Sequence, residues 1–312
     1  MILRRSRTLH GPAVIGLVGM AAVGLLPAGC VVGPEYERPE VVVPDTFRFD
    51  ASGELDASDV AWWAAFGDPA LDALVDEALT NNLDVRIAAA RVEEFAARIG
   101  INRAAAFPQV NAGGGLGRTS LSREIAPGSA GGSRTSDFFN ANLNVGWELD
   151  IWGRIRRATD AARADALAST EVRRGVVLTL VTSVATSYVG LRSLDAQLEV
   201  AREKLETRAD TLEIFEQQFD QGVISQLELA QIRSEYERTA ATIPGIERDI
   251  ARLENSLSVL LGRPPGSIAR GRTIAELTMP PIPAGLPAQL LRQRPDLQAA
   301  ELAMMSANAR IG

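Results

Sequence analysis

The chain has 312 residues and a formal net charge of −7, with 46% apolar and only 5% aromatic residues. An acidic balance argues against a nucleic-acid partner held by phosphate neutralisation. The only histidine is His10 and the only cysteine is Cys30. Beyond residue 30 there is therefore no histidine for a catalytic triad or a zinc site, and no internal disulfide can form. No catalytic residue, metal ligand or cofactor is expected, so the chain does not read as an enzyme.

Arg4, Arg5 and Arg7 precede an apolar stretch from Ala13 to Leu26. Charge, length and flanks fit an export signal over residues 1–29 better than a spanning helix. Leu26-Pro27-Ala28-Gly29-Cys30 follows. Small residues directly before Cys30 resemble a bacterial lipobox. There the thiol takes a diacylglycerol and the amine exposed by cleavage is acylated, because one chain alone anchors only marginally. Pro27 stands where that pattern prefers Leu, so ordinary cleavage near an incidental cysteine is the alternative. Val31, rather than Asp, follows the cysteine, which by the same resemblance favours the outer membrane.

Residues 30–67 carry Pro34, Pro39 and Pro44 around a Val41-Val42-Val43 run and read as an extended tether. Asp68-Pro69 is an N-cap followed by proline at the first helical position. Leu71, Leu74, Val75, Ala78 and Leu79 then mark a short amphipathic helix, and Val85, Ala88, Val92, Phe95 and Ile99 mark a second that Pro108 stops. Helices are thus expected over 68–107.

The period then changes. Phe139, Ala141, Leu143, Val145, Trp147, Leu149 and Ile151 alternate with Asn140, Asn142, Asn144, Gly146, Glu148 and Asp150. Val110, Ala112, Gly114 and Leu116 alternate more weakly across a Gly-, Ser- and Pro-rich loop. The pattern predicts a hairpin of strands 109–123 and 137–151. A strand that crosses a bilayer needs about 9–11 residues. One apolar and one Asn-rich face suit a barrel wall between lipid and water, with Trp147 and Trp152 as interface aromatics near the periplasmic end. A sandwich strand with one buried face is the alternative. Arg154, Arg156, Arg157 and Arg163 cluster at the start of the next helix, its unfavourable dipole end. Contact with lipid headgroups and simple solvation are both open there.

Val177, Val184, Leu191, Leu198, Leu205, Leu212 and Phe219 fall seven apart, with Leu180, Leu194, Ala201 and Phe215 in a second seam. This predicts one helix over 152–220, about 100 Å long. Gln221-Gly222-Val223-Ile224-Ser225 breaks it, with Gly222 as C-terminal cap and Ser225 as the next N-cap. Leu229, Ile232, Tyr236, Thr239, Ile243, Ile246, Ile250, Leu253, Leu257 and Leu260 continue at helical spacing through Pro244, a site of an expected kink. The second helix of the hairpin is expected over 226–261. Prolines 264, 265, 280, 281, 283 and 287 make residues 263–287 linker-like.

Asp296 to Gly312 then repeats Asp84 to Gly100. Asp84, Ala88, Ala97, Arg98, Ile99 and Gly100 recur as Asp296, Ala300, Ala309, Arg310, Ile311 and Gly312. This is an internal repeat: 68–262 is the first copy, 288–312 the start of a second. The chain is accordingly read as truncated, lacking a second strand pair and helical hairpin, and three such chains would offer only six strands.

Several pieces together resemble a known family. They are Cys30 with Gly33-Pro34; Trp62-Trp63 with Phe66-Gly67-Asp68-Pro69 and Leu71; Asn82-Leu83-Asp84; Phe107-Pro108; Trp147-Glu148-Leu149-Asp150-Ile151-Trp152-Gly153; Gly222-Val223 with Ser225; and Leu260-Leu261-Gly262-Arg263-Pro264-Pro265. In order and repeat the chain resembles TolC/OprM-type outer-membrane efflux factors, NodT-like lipoprotein branch. The resemblance implies a mainly α fold with a membrane β-hairpin, a twelve-stranded barrel shared by a homotrimer, and helices projecting into the periplasm. It implies a passive export duct for drugs or other small molecules in a tripartite efflux system. Its partners would be a periplasmic adaptor (membrane fusion) protein, an inner-membrane RND-type pump and outer-membrane lipid. The adaptor-facing tip carries over to Gln221, Gly222, Val223 and Ser225. A periplasmic coiled-coil structural or adaptor-like lipoprotein is the alternative. Gly113-Gly114-Gly115-Leu116-Gly117-Arg118-Thr119 is set aside as a phosphate loop, because Ala112 and Arg118 replace the required Gly and Lys and alternation continues. Glu93-Glu94 are helix neighbours on a solvated face.

Overall fold

The computed structural model describes residues 32–40, 61–120, 135–279 and 291–311. The leader, Cys30 and most of the expected tether lie outside the described residues. In chain order a 3-10 turn, Trp62–Phe66, is followed by α1 (Pro69–Asn81), α2 (Leu83–Ala104), β1 (Gln109–Ser120), β2 (Thr135–Gly146), α3 (Arg154–Asp220), α4 (Gln226–Leu260) and α5 (Pro295–Ala309). The mainly helical fold with one strand pair is the expected one. The chain divides into two units. One takes in the described parts of residues 1–38, 95–166 and 303–312; the other takes in those of 39–94 and 167–302.

In the first unit β1 and β2 pair antiparallel from Gln109 opposite Gly146 to Ser120 opposite Thr135. This register sets Val110, Ala112, Gly114 and Leu116 beside Val145, Leu143, Ala141 and Phe139 on one face. Asn111, Gly113 and Gly115 face Asn144, Asn142 and Asn140 on the other. The expected strand 137–151 is corrected: β2 ends at Gly146. Pro108 and the end of α2 leave β1 no residue to pair beyond Gln109, so the alternation of Trp147 to Ile151 has no ladder to join. Helices also end earlier than expected, α2 at Ala104 rather than 107, while α3 starts at Arg154 rather than 152.

In the second unit the core is built by α1 (Leu71, Leu74, Val75, Ala78), the stretch Leu180–Leu191 of α3 and the end of α4 (Leu257, Leu261). The heptad seam supplies Val184 and Leu191, both fully buried. α3 and α4 run antiparallel, fastened by Arg202–Glu247 at 2.9 Å and Arg233–Glu216 at 2.6 Å. α4 stays one helix through Pro244, which removes a single backbone donor. Its end at Leu261-Gly262 is closed by Gly262 N–H to Val259 O and Arg263 N–H to Ser258 O, both 3.0 Å. The expected linker is docked, not loose, over its first part: Ile268 is 3% exposed and joins the core.

Asp68 is more than a cap. Its Oδ1 accepts from Ala70 N–H at 2.9 Å, at the N-terminus of α1. Its Oδ2 accepts from the Tyr188 hydroxyl at 2.6 Å and from Arg272 N–H at 3.0 Å. The same hydroxyl accepts from Gly271 N–H at 2.9 Å. Burial and the Asp68 bond push the Tyr188 phenol up to about 12. Arg192 adds a 2.8 Å bond to the Arg272 carbonyl, and Arg270 bridges Asp195 and Glu254. One carboxylate therefore joins the start of α1, the middle of α3 and the segment after α4.

Candidate functional site

Three places carry the expected functional residues. The first is the strand pair. All twelve residues of β2 are exposed, including Phe139 at 82%, Leu143 at 68% and Val145 at 64%. Leu116 and Val110 beside them are exposed as well. Among the described residues no second layer covers the apolar face, which is not the arrangement of a sandwich strand. Water is a costly neighbour for such a face, at roughly 25 cal/mol per Å². Two strands alone are also marginal in water. At the loop end of the apolar face the bidentate pair Arg118–Asp137 follows the Leu116–Phe139 rung, with 2.8 Å for its longer bond.

The second place is the junction of β2 and α3. Trp147 lies one residue past the strand; its indole N–H donates to the Ala106 carbonyl at 3.0 Å and its ring is exposed. Trp152 is 66% exposed and its carbonyl accepts from Val32 N–H at 3.1 Å. Glu148 and Asp150, which the alternation places on the polar face of the expected strand, instead serve the start of α3. Glu148 takes a bidentate bond from Arg154 at 2.7 and 2.8 Å. Asp150 accepts from the backbone N–H of Ile155 at 3.0 Å and of Arg156 at 2.9 Å. Burial raises the Asp150 pKa, and these two backbone donors with the Arg156 side chain outweigh it, holding the carboxylate below its ordinary range. The arginine cluster is thus matched by carboxylates at the helix end that favours them. Arg157 turns away, to the Gly33 carbonyl at 3.2 Å.

The third place is the turn between α3 and α4. Gly222 sits at φ 74°, in the left-handed region where any side chain is strained. Gly222 N–H bonds Phe219 O and Val223 N–H bonds Gln218 O, both at 2.9 Å. Those are the two bonds that close a helix with a left-handed residue. Ser225 then caps α4, with its hydroxyl 3.3 Å from Glu228 N–H and its own N–H 2.7 Å from the Glu228 carboxylate. That backbone bond holds Glu228 below its ordinary pKa. Gln221, Gly222, Val223 and Ser225 are all exposed, and Val223 at 67% and Leu227 at 68% form an apolar tip. Leu227 was not singled out in the sequence, where it lies off the helical seam.

An exposed two-faced strand pair is followed in the chain by a 67-residue helix and an antiparallel return. The chain belongs to the outer membrane efflux protein family, whose model matches residues 74–263. Membership answers the adaptor-like alternative and assigns the chain to the outer membrane. The cation efflux system protein CusC of Escherichia coli O6:H1 is 36% identical over 296 residues, covering 93% of this chain and 63% of its own length. The probable efflux pump outer membrane protein TtgC of Pseudomonas putida is 32% identical over 304 residues, covering 95% and 62%. A crystal structure of CusC superposes with a TM-score of 0.75 at 33% identity, covering 91% of this chain and 63% of that one. The chain thus spans less than two thirds of the length of the relatives it matches.

Proposed function

We propose that the chain forms part of an outer-membrane channel: a passive export duct for small molecules in a tripartite efflux system, assembled as a homotrimer. The observation that carries this reading is the two-faced exposure of β1 and β2, with Phe139, Leu143 and Val145 on one side and Asn140, Asn142 and Asn144 on the other. Hydrocarbon suits the first face and a water-filled lumen the second. Trp147 and Trp152 are the interface aromatics of this reading. The exposed turn Gln221, Gly222, Val223 and Ser225 is its docking point for a periplasmic adaptor, which couples the duct to an inner-membrane RND-type pump. Cys30 carries the lipid anchor. The small-molecule cargo follows the pump, and the duct performs no chemistry of its own.

Deletion of the gene is expected to raise susceptibility to several exported compounds, with resistance restored by the intact gene. Unchanged susceptibility and unchanged intracellular accumulation in the deletion strain would remove the export role.

A further inference from the structure

Val32, Gly33 and Pro34, which lie shortly after Cys30 in the sequence, are held at the β2–α3 junction. Three consecutive residues each have one backbone atom fastened: Val32 N–H to the Trp152 carbonyl at 3.1 Å, the Gly33 carbonyl to Arg157 Nη2 at 3.2 Å, and the Pro34 carbonyl to Asn308 Nδ2 at 3.0 Å. Arg157 is committed to this job. Its side chain is 13% exposed, its nearest carboxylate is the solvent-facing Glu35 at 3.7 Å, and its Nε is buried. The other arginines of the cluster pair with carboxylates at 3.3 Å or less. The helix that carries Asn308 is itself pinned by Arg310 to Asp165 at 2.6 Å.

We infer that Trp152, Arg157 and Asn308 form a clamp that fixes where the acylated N-terminus enters the bilayer. The partner is the phospholipid of the periplasmic leaflet. Covalent geometry supplies the reach: one residue separates Cys30 from Val32, so their Cα atoms lie within about 7 Å of each other. Acyl chains on Cys30 therefore enter beside the exposed Trp152 ring, whose amphipathic indole suits the same depth. Without the clamp, a tether of extended chain lets the anchor roam. With it, the anchor and the strand pair share one depth, and the acyl contribution of about 0.8 kcal/mol per buried CH₂ acts on the wall segment itself. Arg157 is a positioning residue, acting through the Gly33 carbonyl. The inference rests on lipidation at Cys30.

The test uses the complete gene product in its native membrane, with Val32→Cys and Trp152→Cys introduced together. Acylation blocks the Cys30 thiol, so only the new pair oxidises. Copper phenanthroline is expected to protect both thiols from a maleimide–polyethylene glycol gel shift. Adding Arg157→Ala is expected to lower the protected fraction several-fold, and Arg157→Lys to restore most of it, with palmitate labelling equal in all three. Reactivity of Val32→Cys alone, compared with and without Arg157→Ala, reads the same clamp without altering Trp152. Thiols that stay free in palmitate-labelled protein with Arg157 intact would overturn the clamp. Absent palmitate labelling with the disulfide formed would overturn the lipid anchor on which it rests.

Discussion

The Tyr188 hydroxyl donates a 2.6 Å hydrogen bond to Oδ2 of Asp68, 120 residues earlier, and both side chains are buried. Neither group has water as an alternative partner, so removing one strands the other. Tyr188→Phe leaves the carboxylate short of a donor and Gly271 N–H short of an acceptor. A loss of about 1–3 kcal/mol is expected. Asp68→Asn is expected to be destabilising too, because the amide has one acceptor oxygen where the carboxylate uses two: in either orientation its NH2 group faces a donor, Ala70 N–H or the Tyr188 and Arg272 pair. Thermal unfolding followed by circular dichroism in detergent measures both.

The same pair sets a pH response. The Tyr188 phenol rises from 10.0 to about 12 in the fold, through burial first and the Asp68 bond second. Between those values the unfolded chain has lost a proton that the folded chain keeps, so alkali favours unfolding. The contribution is complete below pH 10 and declines as pH rises toward 12. Subtracting the Tyr188→Phe stability profile from that of the intact protein should isolate this decline. Parallel profiles from pH 9 to 12 would contradict it.

Gly271 lies so close to Asp68 that a Cβ there would overlap the carboxylate. Gly271→Ala is expected to destabilise by about 1–3 kcal/mol, the usual cost of overfilling a packed site. Since the clash is with that carboxylate, the cost should shrink when Asp68→Ala is present, giving a coupling of about 1 kcal/mol or more in a double-mutant cycle. Additive losses would place the strain elsewhere.

At the hairpin turn, Ser225→Ala removes the capping box and is expected to cost about 1 kcal/mol, confined to the first turn of α4 in hydrogen exchange. The Glu228 carboxylate contributes above pH 4.5 and its share is lost as pH falls, because its folded pKa is lowered. Gly222→Val and Val223→Asp are expected to weaken crosslinking to the adaptor and lower drug resistance at unchanged protein level. Undiminished crosslinking would remove the contact role.

Much of this architecture is readable from the residues alone. The seven-residue spacing from Val177 to Phe219 gives α3 because a helix of that length keeps one seam inward for many turns. Alternation gives β2 up to Gly146 for the same kind of reason. It misleads from Trp147 to Ile151, since a strand needs a partner and β1 begins only at Gln109. The Asp68 site was visible only as an N-cap before Pro69; its partners Tyr188 and Arg272 are 120 and 204 residues away, and local spacing carries no trace of them. Arg157 looked like one member of a basic cluster until Gly33, 124 residues earlier, took its guanidinium. Prolines made 263–287 look like a linker, although the apolar Ile268 within it is a core residue.

Everything functional depends on the strand pair meeting hydrocarbon on one face and water on the other. Spin labels placed singly from Phe139 to Val145, in the complete gene product within outer membranes, measure this directly through collision with oxygen and with a water-soluble nickel complex. Labels at 139, 141, 143 and 145 should favour oxygen and those at 140, 142 and 144 the nickel complex, in strict alternation. Equal nickel accessibility along the whole strand would contradict the account.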